Sequence, residues 1–147
     1  MALRIWLAVM VILITAAHAA AQDRFVSKLT LPTGETVVVA EGDFEARSIG
    51  SFSVRLYEAA AAPDETTFFI SGLIRARDGV VEKVLLADID EDQQQEIVVA
   101  VRSVGTGSYL SAHAFAVAKG KLVFRAAVEG LAANSDPVAA LRKSGKK

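Results

Sequence analysis

The chain has no cysteine, and that absence excludes two classes of protein at once. Without thiols it can form neither a disulfide framework nor a cysteine-ligated zinc module. Histidine is nearly as scarce, with two among 147 residues. The sequence also lacks a G-x-S-x-G motif, and no pair of carboxylates stands out for glycoside chemistry. We therefore expect a protein that is not an enzyme and whose stability depends on packing alone.

A strong charge of one sign is missing as well. The 16 Lys and Arg residues are balanced by 17 Asp and Glu residues, so the basic surface that nucleic acids require is absent. Apolar residues make up 52% of the chain, which excludes a disordered protein. Length and composition together predict one compact domain with no nucleic-acid partner.

Long apolar runs are confined to the N-terminus. Residues 5–17 form an apolar run that follows one arginine and is shorter than the roughly 20 residues that span a bilayer. Small residues come next, and this order predicts a secretory signal peptide over residues 1–21. We favour cleavage before Gln22 over cleavage after Ala19, and a retained anchor is the alternative. The mature domain, residues 22–147, is then expected to be periplasmic and free of the membrane.

Short apolar or alternating runs, separated by turn residues about every ten positions, make up the rest of the chain. The predicted strands lie near residues 25–31, 35–40, 53–57, 67–74, 80–88, 96–102, 109–118 and 121–128. The short turns Arg77-Asp78-Gly79 and Lys119-Gly120 predict hairpins with antiparallel pairing. The fold class is therefore an all-β, antiparallel sandwich-like domain of about eight strands, with a closed barrel as the alternative.

One short C-terminal helix is expected after the last strand. Asp136 can cap its first turn, and Pro137 has the fixed φ that suits the first helical position. Residues 138–143 are good helix formers, with basic side chains in the last turn where the helix dipole favours them.

The segment between the sixth and seventh predicted strands is the most informative one for function. It combines hydroxyl side chains with glycines in a loop longer than a two-residue hairpin needs. Its candidate site residues are Ser103, Gly105, Thr106, Gly107, Ser108 and Tyr109. Glycines let a partner approach the backbone closely, and hydroxyls can donate hydrogen bonds to it. An ordinary hydroxyl-rich turn is the alternative interpretation.

An acidic run offers a second candidate site. Oxygen ligands at alternate positions suit Ca²⁺, and the residues that could supply them are Asp88, Asp90, Asp92 and Glu96. Gln93 stands where such a loop usually has a glycine, so a solvated acidic turn explains the run better and we expect no metal. His113 lies within a predicted strand, and we interpret it as a hydrogen-bonded or partly exposed structural residue.

Three runs of the sequence carry a resemblance to a known family. They are EGDFEARSIGSFSVRLY at residues 41–57, VEKVLLADIDEDQQQEIVVAVRSVGTGSYLSAHAFAV at 81–117 and VEGLAANSDPVAAL at 128–141. Together they resemble the periplasmic inhibitors of invertebrate-type lysozyme. The resemblance extends in order over nearly all of the expected mature chain.

That resemblance implies a β-rich homodimer, without cofactors, that inserts a loop into the cleft of a host lysozyme. The implied inhibitory loop consists of the six residues from Ser103 to Tyr109 named above. A second similar stretch is assigned to the rim of the interface, or else to a structural turn: Arg47, Ser48, Ile49, Gly50 and Ser51. The alternative function is an exported, non-inhibitory module that binds calcium or a glycan.

Overall fold

The computed structural model describes residues 23–60, 62, 65–66 and 68–146. The expected signal peptide therefore lies outside the described residues. The strands are β1 (Val26–Thr30), β2 (Thr36–Glu41), β3 (Ile49–Tyr57), β4 (Phe69–Asp78), β5 (Val80–Ala87), β6 (Glu96–Arg102), β7 (Leu110–Ala118) and β8 (Lys121–Leu131), and one helix follows, α1 (Pro137–Gly145). The fold class predicted from the sequence, eight strands and a short C-terminal helix, is confirmed.

The strands form two separate antiparallel sheets of four. Each sheet is a simple meander, with the orders β1-β2-β3-β4 and β5-β6-β7-β8. Because neither sheet closes on itself, the sandwich-like arrangement is formed and the alternative of a single closed barrel is wrong. The predicted hairpin at Arg77-Asp78-Gly79 is also wrong, since β4 pairs with β3 and β5 pairs with β6.

Gly79 explains that error, because it carries the chain from one sheet to the other. Its φ is +120°, a conformation that other residues rarely adopt. A Cβ at this position would also collide with the carbonyl oxygen of Arg102. The short turn is thus a corner between sheets, in which glycine has no substitute, and not the connection of a hairpin.

Two strand boundaries differ clearly from the sequence prediction. β3 begins at Ile49, four residues before the predicted start, and β4 ends at Asp78, four residues after its predicted end. The two additions belong together, because Ile49 pairs with Asp78. Serine and glycine at the start of β3 hide the alternation that would mark it as a strand. The predicted start of β4 at Thr67 lies outside the described residues.

The main core lies between the sheets and is built from alternate residues of the central strands. Phe52 of β3 and Phe115 of β7 meet edge to face across it, with ring centroids 6.1 Å apart. The helix forms a further layer on the outer face of the second sheet, where Leu141 is buried against Val98 and Ala114. Both faces of β6 are therefore covered, whereas the outer face of the first sheet has exposed side chains such as Ile74.

The helix begins as the sequence predicts. Asp136 accepts a hydrogen bond from the backbone N–H of Val138 at 2.9 Å, and Pro137 occupies the first turn. Within the described part of the chain, no helix has the length and apolar character that crossing a membrane requires.

Candidate functional site

The β6–β7 loop, residues 103–109, is closed at its base and exposed at its tip. The N–H of Ser103 donates to the carbonyl of Tyr109 at 2.9 Å, and the N–H of Ser108 donates to the carbonyl of Gly105 at 3.1 Å. Residues 104–107 are all exposed, and the side chain of Tyr109 is 55% exposed. Two backbone hydrogen bonds therefore close the base of the loop, and the side chains at its tip are exposed.

The hydroxyl groups of this loop make no hydrogen bond to any described residue. They belong to Ser103, Thr106, Ser108 and Tyr109, the four hydroxyl residues chosen from the sequence. Each can donate one hydrogen bond and accept others. The arrangement thus offers a cluster of donors to a partner that presents acceptors.

The two glycines of the loop have different surroundings. A Cβ on Gly107 would collide with the ring of Tyr109, so the aromatic side chain packs directly over the backbone of this glycine. Nothing lies within 4 Å of a Cβ placed on Gly105. Gly107 therefore sets the position of the tyrosine, whereas Gly105 leaves the tip open.

Arg102, at the base of the loop, does not present its charge to solvent as a free cation. Its guanidinium donates to the carbonyls of Ser108 at 2.9 Å and Ala133 at 3.1 Å. It also forms an ion pair with Glu82 of β5. The hydrogen bond from Arg102 holds the pKa of the Glu82 carboxyl below its ordinary value. The sequence analysis missed Glu82, which is 20 positions distant from its partner.

The rim segment, residues 47–51, lies partly in β3. Ile49, Gly50 and Ser51 are its first strand residues, and Arg47 and Ser48 precede it. The side chain of Ile49 is 62% exposed, so it is available to a partner. The segment thus consists of two residues of a connection followed by the first three residues of β3. The structural turn considered as the alternative applies only to the first two.

A buried arginine that the sequence analysis missed holds the rim segment in place. Arg77 of β4 is 2% exposed. It donates to the carbonyls of Arg47 at 2.8 Å, Ser51 at 3.0 Å and Ala46 at 3.0 Å. Glu41 is the buried carboxylate nearest to it, with the Arg77 Nε and Glu41 Oε1 atoms 3.9 Å apart. The only sequence signal was the alternation of β4, which directs Arg77 toward the core.

Two glutamates complete this network. Glu41 Oε1 accepts a hydrogen bond from the N–H of Val81 at 2.8 Å, which joins the two sheets. Glu45 accepts from the N–H of Ser51 at 2.6 Å and from its hydroxyl at 2.7 Å. These bonds hold the pKa of the Glu45 carboxyl below its ordinary value, with the charge of Arg77 as a smaller cause. Ionic and hydrogen-bonded contacts therefore hold the rim segment in place.

The structure brings the rim segment and the loop to the same end of the sandwich. Gly79 lies between them, because its N–H donates to the carbonyl of Ser48 at 2.8 Å and its Cα lies against the carbonyl of Arg102. A cavity of about 260 Å³ opens beside the loop and is lined by Ser103 and Tyr109, among others. The two stretches assigned from the sequence thus belong to one continuous surface.

His113 forms part of the wall of that cavity and is a core residue. It is 5% exposed, and its ring lies edge to face with Phe52 at a centroid distance of 5.3 Å. Burial lowers the pKa of its imidazole. The expectation of a hydrogen-bonded or partly exposed histidine is wrong for Nδ1, which is buried and has no hydrogen-bond partner within the described residues. The imidazole therefore belongs to the packed core between the two sheets.

The acidic residues lie at the other end of β6. Carboxylate oxygens of Asp88, Asp90 and Glu96 lie within 4.8 Å of one another, and Asp92 is outside this group. Asp88 accepts from the N–H groups of Glu91 at 2.7 Å and Gln93 at 2.9 Å. These carboxylates therefore serve the backbone of their own loop.

A left-handed backbone conformation occurs in this acidic loop without a glycine. Gln93 adopts a φ of +69°. Gln93 thus has the left-handed backbone that glycine usually provides, and the expectation of no metal stays a prediction. Glu96 is buried and accepts from the N–H of Ile89 at 2.9 Å, and burial raises the pKa of its carboxyl.

Fold and site together define a β-sandwich protein with an exposed, hydroxyl-rich loop at the end of the β6–β7 strand pair. The family described as periplasmic lysozyme inhibitor of I-type lysozyme, PliI, matches residues 23–145. The chain belongs to this family, which confirms the resemblance seen in the sequence.

Two crystal structures are similar to this chain. The PliI of Aeromonas hydrophila is 44% identical, with a TM-score of 0.74 over 80% of this chain and 98% of the other. The A. hydrophila PliI in complex with Meretrix lusoria lysozyme is 45% identical, with a TM-score of 0.73 over 80% of this chain and 95% of the other. No curated protein matches the chain.

Proposed function

We propose that the protein is an exported periplasmic inhibitor that binds an invertebrate-type lysozyme and inserts the loop of residues 103–109 into its active-site cleft. The observation that carries the proposal is the cluster of hydroxyl groups that make no hydrogen bond to the described chain, on a loop closed at its base. Membership of the inhibitor family supports it, as does the complex that a 45% identical relative forms with a lysozyme. Inhibition of a host lysozyme would make the protein a means of evading host defence.

The chemistry of the two surfaces is complementary. Glycoside hydrolases of the lysozyme type act through two carboxyl groups that flank the bond to be cleaved. The loop offers hydroxyl and backbone N–H donors and has no carboxylate of its own. Hydrogen bonds to an ionised carboxylate are roughly twice as strong as neutral ones. Occupation of the cleft by such a loop blocks the substrate without any reaction, so the protein acts as an inhibitor and not as an enzyme.

The rim segment, residues 47–51, adds contact area beside the loop. A stable interface buries about 800 Å² on each partner, more than one short loop provides. Ile49 is exposed next to the loop, and Arg77 holds the neighbouring backbone in place. We assign these residues to the periphery of the same interface.

The direct test replaces the two side chains most suited to reach the cleft. The double variant Ser103→Ala with Tyr109→Ala should weaken inhibition of an invertebrate-type lysozyme by at least about thirtyfold, the cost of losing one interface hot spot. Its melting temperature should match that of the wild type, because exposed loops contribute little to the core. Gln95→Ala, an exposed position at the opposite end of the sandwich, is the control. Wild-type inhibition by the double variant would refute the proposal.

Export and assembly are tested on the same material. We expect periplasmic protein to begin at Gln22 in intact-mass measurements, after loss of residues 1–21. The homodimer implied by the family resemblance should appear in sedimentation experiments at twice the mass of this mature chain. An intact Met1 on membrane-bound protein would contradict the first expectation, and a single monomeric species would contradict the second.

A further inference from the structure

The side chain of Arg102 connects three elements at the base of the 103–109 loop. Glu82 belongs to β5, Ser108 to the loop itself and Ala133 to the connection between β8 and α1. The guanidinium reaches the carbonyls of Ser108 at 2.9 Å and Ala133 at 3.1 Å, and its Nη2 lies 3.1 Å from Glu82 Oε1. A single planar group with several donors thus fixes the loop from the side.

The loop needs such an anchor because of its own backbone. It contains two glycines, and Ser108 adopts a left-handed φ of +45°, which is unfavourable for a residue with a side chain. Among the described residues, two backbone hydrogen bonds close it, from Ser103 and Ser108. Arg102 binds the carbonyl of the same Ser108, so the contact acts at the loop residue that has the left-handed backbone.

We propose that Arg102, oriented by Glu82, is a positioning residue that holds the loop in its binding conformation before lysozyme is met. This inference rests on the inhibitory function proposed above. A loop that is already ordered loses little conformational entropy on binding, whereas a loop that is competent only part of the time binds more weakly in proportion to that fraction. Arg102 itself need not touch the partner.

Glu82 has a definite part in this arrangement. It contacts two nitrogens of the guanidinium, which leaves Nη1 directed at the two carbonyls. The hydrogen bond from Arg102 lowers the pKa of the Glu82 carboxyl, so the pair favours its ionised form. A lysine in place of Arg102 would keep the positive charge, but it lacks a planar group that holds several donors in a fixed geometry.

The test compares two arginines that lie at opposite ends of the sandwich. Each of them binds backbone carbonyls at its own end. Arg102→Met should weaken lysozyme binding by about tenfold, the result of a loop that is competent a tenth of the time. In the free protein, amide hydrogen exchange of residues 103–109 should become faster. Arg142→Met is the matched control, because Arg142 binds the carbonyl of Asp88 at 2.9 Å, far from the loop. We expect the control to bind lysozyme as the wild type does.

Exchanging the two charged residues distinguishes the effect of the ion pair from the effect of the hydrogen bonds to the loop. The variant Arg102→Glu with Glu82→Arg retains opposite charges, but a glutamate cannot donate to the carbonyls of Ser108 and Ala133. It should therefore melt near the wild-type temperature and still bind weakly. Full recovery of affinity would show that the ion pair alone matters and would overturn the inference. If Arg102→Met melts at a lower temperature than the control, Arg102→Lys is compared with the wild type instead. We expect its loss of affinity for lysozyme to be intermediate.

Failure of this inference can be told apart from failure of the proposed function. If Arg102→Met has wild-type exchange in the loop, or wild-type affinity, while the Ser103→Ala, Tyr109→Ala variant loses inhibition, the positioning role is wrong and the function stands. If that double variant inhibits normally, the proposed function is wrong. The exchange measurement on the free protein then still decides whether Arg102 orders the loop.

Discussion

The two loops that flank β6 differ in where their polar groups find partners. In the loop before it, residues 88–95, the two carboxylate oxygens of Asp88 accept hydrogen bonds from backbone N–H groups of the same loop. In the loop after it, residues 103–109, the hydroxyl groups make no hydrogen bond to the described chain, although two backbone hydrogen bonds close the loop. Both loops are polar and exposed, but the hydroxyl groups of the second loop are available to a partner, whereas the carboxylate of Asp88 is already used by its own loop. Density of polar residues is therefore a poorer guide to a binding site than the question of which groups already have partners.

The largest expected effect comes from breaking the buried network beside the second loop. Arg77→Met should lower the free energy of unfolding by about 3 kcal/mol or more, because it removes the buried donor to three backbone carbonyls and leaves the buried Glu41 paired with the more exposed Arg47. Chemical denaturation measures this loss. Glu96→Gln at the other end is the comparison, and it should change stability much less. Equal losses in the two variants would contradict the contrast between the two ends.

Gly107→Val should have the next largest effect, and on binding alone. A side chain at this position collides with the ring of Tyr109, so the tyrosine must leave its place over the backbone. We expect inhibition to weaken by about tenfold, roughly the effect of one misplaced interface side chain. The same substitution at Gly105, which has open space around it, should be milder. Titration of lysozyme activity with each variant gives the comparison, and equal losses would refute the role given to Gly107.

A smaller effect concerns pH and the buried imidazole next to the loop. The pKa of His113 in the folded protein lies below its ordinary value of 6.5, with burial as the main cause and the charge of Arg75 as a second. The unfolded chain therefore takes up a proton at a higher pH than the folded chain does. Stability should fall as the pH drops below about 6.5 and be unaffected by this group above that value.

The variant His113→Leu isolates the contribution of the imidazole. Between pH 7 and pH 5 its melting temperature should depend less on pH than that of the wild type. An unchanged pH dependence would show that the histidine is not responsible.

The smallest expected effect is that of calcium. Asp88 and Glu96 already accept backbone hydrogen bonds, so an added ion must compete with them. A ligand that binds only the folded state at a hundred times its dissociation constant adds about 2.7 kcal/mol. We expect no stabilisation of that size, and unchanged inhibition in the presence of a chelator. A clear rise in melting temperature with calcium would make the acidic loop a cation site.

Features determined by neighbouring residues could be predicted from the sequence. Alternation of apolar residues located the strands, and the sequence Asp136-Pro137 located the start of the helix, because a cap and its N–H donor are two positions apart. The hydroxyl-rich loop was also found, since hydroxyl groups and glycines are concentrated in seven consecutive residues.

Features that depend on distant contacts could not be predicted. Arg77 and the carbonyl of Arg47 are 30 positions apart, and Arg102 and the carbonyl of Ala133 are 31 apart. Nothing local marks either arginine as more than a charged residue in a strand. The corner at Gly79 was mistaken for a hairpin turn for the same reason: the sequence of a short turn does not reveal whether the next strand joins the same sheet.

The most direct test of the difference between the two loops is amide hydrogen exchange of the protein alone and in complex with an invertebrate-type lysozyme. Binding should slow exchange in residues 103–109, with weaker protection in residues 47–51, and leave residues 88–95 unchanged. That result would place lysozyme at the end of the sandwich where the hydroxyl groups are free. Protection of residues 88–95 with no change in residues 103–109 would contradict the account.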